Sequence, residues 1–260
     1  MATKKIRFLL LSNRTFGKWM STMPSCKSTR DYSLFTKCHK DKIVLTYVDD
    51  LLIIGNDDHL IQETKRALQA AFKIKDLGEL RYFLGIEFAR SKDGILMHQR
   101  KYALELISDM GLAGSKPTST PMEVNQKLTT TEFDHHIPSE NSDPLLSNPT
   151  AYQRIIERLF YLTTTRPDIA FAVQCLSQFM HSSKESHMEA AIRFVKYIKQ
   201  APGLGILMNS HSLNHLSVHC DADWGSCVNS RRSITGYLVK YGSSPICWRS
   251  KKQAIKLLGV

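Results

Sequence analysis

Two adjacent carboxylates, Asp49 and Asp50, stand between two apolar runs, residues 43–48 and 51–54. Each run is short and rich in β-branched residues, which favours buried strands over a helix. The pair then falls where the chain reverses, and Gly55, Asn56 and Asp57 end the second strand with turn chemistry. Carboxylates held between dry strands are costly unless a positive group pairs with them. A divalent cation suits that place, because Mg²⁺ takes hard oxygen ligands and shares them with substrate phosphates. An ordinary solvated turn would also accommodate an Asp pair.

Other groups with possible chemistry are weaker. The six cysteines (26, 38, 175, 220, 227 and 247) form no Cys-x-x-Cys pair and suggest no disulfide framework. His211, His215 and His219 recur every fourth residue beside Cys220, but Gly203, Gly205, Asn209 and Asn214 argue for loop and strand instead of a metal-binding helix face. The formal charge of +11 favours a polyanionic partner such as nucleic acid. No apolar run approaches the roughly 20 residues of a membrane span. The basic and apolar start, Lys4-Lys-Ile-Arg-Phe-Leu-Leu-Leu11, is too short for a secretory signal. An intracellular, non-secreted protein is expected, in nucleus or cytoplasm, with an organelle left open.

The elements that must position the Asp pair follow in order. Residues 34–37 and 43–48 read as strands separated by the turn at 39–42. Asn56-Asp-Asp58 makes a helix N-terminus, and Leu60, Ile61, Leu68 and Phe72 share one face of that helix, which residues 73–78 close. Residues 81–89 and 95–98 read as a hairpin turning at Lys92-Asp-Gly94. Tyr102, Leu106, Ile107 and Met110 form an amphipathic helix ended by Gly111. The polar run 129–150 reads as a linker unable to bury a core. Helical periods recur from Tyr152, from Ile169 and from Met188, the last with Arg193, Lys196 and Lys199 on its wet side. That face could touch phosphates, though such a charge run is usually a solvated face. Strands follow at 216–220, 233–241 and 246–250.

Tyr47-Val-Asp-Asp50 between apolar strands resembles the active-site box of reverse transcriptases. The wording around it resembles the copia-type retrotransposon Pol polyprotein. The resemblance continues through Asp31-Tyr-Ser-Leu-Phe35, Asp76-Leu-Gly-Glu-Leu-Arg-Tyr-Phe-Leu-Gly-Ile-Glu87, Ser119-Thr-Pro-Met122, Tyr161-Leu-Thr-Thr-Thr-Arg-Pro-Asp168, Cys220-Asp-Ala-Asp-Trp-Gly225, Arg231-Arg-Ser-Ile-Thr-Gly-Tyr237 and Trp248-Arg-Ser-Lys-Lys-Gln253, in the family's order.

The resemblance implies an α/β (α+β) chain. It comprises a degenerate segment (1–30), a partial reverse transcriptase palm (31–98), the start of a thumb (99–128), the polar linker (129–150), a helical thumb or connection (151–208) and an incomplete ribonuclease H-like sheet (209–260). It implies Asp49 and Asp50 as ligands of Mg²⁺ or Mn²⁺, Tyr47 near the primer end, and Asp221 as the first ribonuclease H carboxylate. Tyr82, Phe83, Leu84 and Gly85 would form the primer grip, and the helix from Tyr102 would lie in the thumb beside a template–primer duplex of RNA and DNA, while Arg193 and Lys196 stay candidate nucleic-acid contacts from their helix face. The family's fingers, its first palm aspartate and its later ribonuclease H carboxylates have no counterpart in these residues. Glu157 stands where relatives usually carry Gly. The expectation is a truncated member, inactive alone, with a non-catalytic nucleic-acid-binding module as the alternative and a complementing chain not excluded.

Overall fold

The computed structural model describes residues 4–9, 25–27, 34–37, 42–47, 50–55, 58–123, 127–136, 143–211 and 214–254, giving the backbone alone up to residue 51 and at 55 and 60. Two compact units divide the chain, Met1–Leu84 and Gly85–Val260. Both mix helix and sheet, as an α+β chain should.

In the first unit, β1 (Lys4–Leu9), β2 (Ser25–Lys27), β3 (Leu34–Lys37), β4 (Lys42–Tyr47) and β5 (Asp50–Gly55) join a later strand, β6 (Lys75–Glu79). The sheet order is β2-β3-β4-β5-β1-β6. Strand β5 is therefore paired on both sides, antiparallel to β4 and to β1. Such a strand must be apolar on both faces, and Leu52 and Ile53 are both buried. Helix α1 (Asp58–Ala71) packs on β5 through its apolar stripe, with Ile61 and Leu68 buried. Asp58 in its first turn complements the helix dipole. An ion pair from Lys65 to Asp76 fastens α1 to β6. Residues 73–78 thus do more than close the helix, because β1 offers them an edge to pair with.

The chain does not run as one strand through 81–89. It breaks between β7 (Tyr82–Phe83) and β8 (Ile86–Arg90), where Leu84 (φ 47°) and Gly85 (φ 72°) both turn left-handed. Two such residues make a tight reversal that a continuous strand cannot contain.

In the second unit, β8 pairs with β9 (Gly94–His98), and β9 pairs with β10 (Gly205–Asn209), all antiparallel. Between β9 and β10 lies a helical core. It comprises α2 (Arg100–Asp109), the one-turn α3 (Thr131–Asp134), α4 (Pro149–Leu162), a 3₁₀ turn (Pro167–Ile169), α5 (Ala170–Ser177) and α6 (Glu185–Gln200). Leu106, Tyr152, Ile156, Leu159, Val173, Leu176, Phe194 and Val195 interlock in it with essentially no exposure. Each fully buried aliphatic or aromatic side chain contributes about 1.5–3 kcal/mol. Gly111 (φ 66°) ends the α2 region as expected, its N–H bonding the Ser108 carbonyl at 2.9 Å. Glu157 is exposed on α4 and disturbs no packing.

The polar run is tied down by charge. Lys184 is buried, and its ammonium reaches Asp134 (2.6 Å), Asp143 (3.0 Å) and Thr129 (3.1 Å). A buried cation demands such partners, so segments 127–136 and 143–148 are pinned to the start of α6. Arg166, also buried, holds Asp168 through two bonds of 2.8 and 2.7 Å and donates to the Ala201 carbonyl.

A last sheet comprises β11 (Leu216–Asp223), β12 (Ile234–Tyr241) and β13 (Ser244–Lys252), in that order and antiparallel. It is fixed to the helices by Trp248 Nε1, which donates to the Thr163 carbonyl (2.8 Å), and by Lys252 Nζ, 2.6 Å from Gln178 Oε1.

Candidate functional site

The Asp pair is carried by the β4–β5 hairpin. Tyr47 of β4 and Asp50 of β5 are register partners. Asp49 itself lies outside the described residues. Asp50 opens β5, and on its other side its partner is Leu9 of β1. Strand β1 reads Lys4-Lys-Ile-Arg-Phe-Leu9, with three cations and no carboxylate. The neighbours of Asp50 in the sheet are thus a tyrosine and a leucine. Mg²⁺ is seldom held by two ligands without its waters and substrate oxygens, and a two-metal site needs carboxylates enough to clamp both ions. Among the described strands, the register partners of Asp50 offer it no second carboxylate.

The 82–85 segment is placed by the left-handed turn. Tyr82 and Leu84 are exposed and Phe83 is buried. Gly85 is required twice over: by its positive φ, and because a Cβ there would overlap the hydroxyl of Tyr161.

The basic face of α6 is largely used internally. Arg193 pairs with Glu123 (2.6 Å) and donates to Thr120 Oγ1 (2.9 Å). Lys199 Nζ reaches the carbonyls of Leu112 (3.0 Å), Ala113 and Ser115 (both 2.5 Å), which closes the end of the α2 region. The ammonium of Lys196 has no partner among the described residues.

Asp221 projects from β11, which continues through Ala222, so Asp221 and Asp223 share one face opposite Gly236 and Ile234. They line a groove of about 610 Å³ together with Asp168, Phe171, Tyr237, Leu238, Trp248 and Arg249. Asp168 is neutralised by Arg166 and also accepts from the Tyr197 hydroxyl at 3.2 Å. Among the described residues, no three His, Cys, Asp or Glu side chains gather as a metal site.

Residues 13–124 match the family described as "Reverse transcriptase (RNA-dependent DNA polymerase)". The chain is 40% identical over 90% of its length to the Retrovirus-related Pol polyprotein from transposon RE1 of Arabidopsis thaliana, covering 16% of that protein. It is 30% identical over 92% of its length to the corresponding polyprotein from transposon TNT 1-94 of Nicotiana tabacum, covering 18%. It is also 32% identical over 81% of its length to an uncharacterized mitochondrial protein of Arabidopsis thaliana, of which it covers 83%. The chain belongs to the reverse transcriptase family of copia-type retrotransposon Pol polyproteins. No solved structure matches it significantly.

Reverse transcriptases bind nucleic acid and use a divalent metal, and this chain spans only about a sixth of the polyproteins it matches. No helix among its described residues is long and apolar enough to cross a membrane. Sequence reasoning missed the buried charges of this copia-type chain. Arg166 lies within a quoted motif, yet Lys184 and His187 carried no signal, since their partners are distant in sequence.

Proposed function

We propose that this chain is a catalytically silent part of a copia-type reverse transcriptase. In this reading residues 31–98 are a partial palm, 99–128 and 151–208 a helical thumb and connection, and 209–260 the start of a ribonuclease H-like sheet. Asp49 and Asp50 would be the metal ligands of the family, Tyr47 the group near the primer end, the turn at 82–85 the primer grip, and Asp221 the first ribonuclease H carboxylate. The observation that carries the silent reading is Leu9 opposite Asp50 on a strand without an acid. Mg²⁺ or Mn²⁺ would then be held weakly.

Primer extension on an RNA template with Mg²⁺ or Mn²⁺ tests this. Neither the natural, folded chain nor Asp49→Asn/Asp50→Asn should extend. Extension by the natural chain that disappears in the double variant would sink the reading, and would mean another group or another chain completes the site.

A second reading is retained nucleic-acid binding without catalysis. The charge of +11 favours it, as does Lys196, whose ammonium has no partner among the described residues. Binding without sequence preference, weakening steeply with salt, is its expected signature.

A further inference from the structure

Residues 128–136 cross the start of α6 as a strap. Its one helical turn, α3, has no buried residue, and Leu128 is only half-buried against the core. Its polar ties include the Lys184 ammonium on Asp134 and Thr129 Oγ1, the Thr129 carbonyl on His187, and the Thr130 N–H, which donates to Asn229 Oδ1 at 2.9 Å. Asn229 belongs to the connection between β11 and β12. That connection closes on itself, with the Ser230 and Arg231 N–H groups on the Cys227 carbonyl and the Cys227 N–H on the Arg232 carbonyl. The strap thus joins the helical core to the last sheet.

Beneath the strap His187 has no exposure. Its Nε2 lies 3.1 Å from the Thr129 carbonyl and carries the proton, while Nδ1 accepts from the Lys184 N–H at 3.0 Å. Phe179 stacks on the ring, and Tyr152 stands 6.3 Å away with its hydroxyl given to the Leu176 carbonyl. The charged groups around the ring are Lys184, Asp134 and Asp143. Both carboxylates are bound by the Lys184 ammonium, and Asp143 also accepts from the Ser186 N–H and hydroxyl. A second proton on His187 would face a backbone donor at Nδ1 and the charge of Lys184 nearby.

We propose that His187 makes this strap an acid-released clasp: when the ring takes up a proton, residues 128–136 leave α6 and let go of the 227–232 connection, while the helical core stays folded. The strap yields because it is the least buried cover of the ring, whereas Phe179 and Tyr152 belong to the core. Lifting it brings water to Nε2, which a buried imidazolium needs. Segments with few buried apolar contacts open at lower cost than the whole fold. The closed state holds the imidazole at about 4, against about 6.5 when it is solvated. The clasp is therefore tightest above about pH 6.5 and loosens as pH falls. Asp134 and Asp143, both net lowered, loosen it only below about pH 4, so the change above pH 5 belongs to His187.

The test is amide hydrogen exchange on the full chain at pH 7.5 and pH 5, corrected for the intrinsic rates. The N–H groups of Thr130, Asp134 and His135 report the strap, and those of Cys227, Ser230 and Arg231 the connection. Their opening constants should rise together by about 10- to 25-fold on acidification, with Phe194 and Val195 still protected. His187→Gln, which stays neutral and can both donate and accept, should abolish the rise. The same rise in His187→Gln would overturn the proposal. So would an equal rise in Phe194 and Val195, which would mean one global opening, or a connection that stays closed when the strap opens. If His187→Gln loses the protection of Phe194 and Val195, a ring NMR titration of the natural chain decides: protonation in step with strap exchange upholds the clasp, and a ring that titrates near pH 6.5 with the strap still protected overturns it.

Discussion

His187 lies flat against Phe179, with ring centroids 3.9 Å apart and 24° between the planes. Both of its nitrogens are engaged: Nδ1 accepts from the Lys184 N–H (3.0 Å), and Nε2 faces the Thr129 carbonyl (3.1 Å). The carbonyl can only accept, so Nε2 carries the proton and the ring is neutral. A second proton on Nδ1 would meet a backbone donor. Burial, and next the charge of Lys184, hold this imidazole down to a pKa of about 4.

That depression makes folding acid-sensitive. Between about pH 6.5 and 4 the unfolded chain takes up a proton that the folded chain refuses. Stability is therefore full above about pH 6.5 and falls as pH drops, by about 3 kcal/mol at most. Urea midpoints should decline from pH 7.5 to pH 5, and His187→Gln should remove most of that decline. Asp134 and Asp143 act only lower. Burial raises both carboxyls, but hydrogen bonds and the charge of Lys184 leave them net lowered. Their contribution begins to disappear only below about pH 4.

Lys184→Met should cost about 2–3 kcal/mol in urea unfolding, short of the roughly 3–5 kcal/mol of a wholly buried pair. The discount reflects the partial exposure of both aspartates, 36% and 30%, which lets water replace the lost cation. Protection against proteolysis within residues 127–136 should fall in the same variant, because the ammonium is what joins that segment to α6. Unchanged proteolysis there would mean that the packing of His187 holds the segment alone.

Gly85→Ala should destabilise by more than about 2 kcal/mol, since a positive φ and an overlap with Tyr161 act together. Tyr161→Phe alone removes only the hydroxyl. In the double variant the cost of Gly85→Ala should shrink but not vanish, because the left-handed strain persists. Strict additivity of the two changes would show that the rings and the turn do not meet.

The parts of this fold that could be read beforehand are those governed by period and turn chemistry. Helices α4 and α6 announce themselves by Tyr152, Ile155, Ile156 and Leu159, and by Ala191, Val195 and Ile198, all of which are buried. Gly111 marks its helix end in the same local way. The break at Leu84 was invisible, because a leucine with positive φ contradicts its local preference and is imposed by the surrounding structure. Lys184 and Arg166 read as surface residues by type. Their burial depends on Asp134, Asp143 and the Ala201 carbonyl, which only tertiary structure supplies. Of the candidate site, the hairpin carrying Tyr47 and Asp50 was legible, whereas β1 as its neighbour was not: pairing across some forty residues leaves no local trace. Asp221 and Asp223 share a face only because β11 continues through Ala222, which alternation alone left open.

Arg193 and Lys196 look equivalent in sequence and should behave oppositely. Arg193→Ala strands Glu123 and Thr120 but keeps the backbone carbonyl that Thr118 binds. Glu123 is half exposed, so the ion pair is worth only about 1 kcal/mol, but the loss should appear in the urea midpoint and leave the salt slope of nucleic-acid binding unchanged. Among the described residues the Lys196 ammonium has no partner to lose. Lys196→Ala should therefore leave the midpoint within about 0.5 kcal/mol of the natural chain. If α6 contacts a single strand through it, the same change should lower the slope of log K against log salt by about 0.7. Measuring both quantities on both variants separates a cation that builds the fold from one that meets a phosphate. A slope lowered by Arg193→Ala and untouched by Lys196→Ala would reverse the assignment, because it would require the guanidinium to leave Glu123 when nucleic acid arrives.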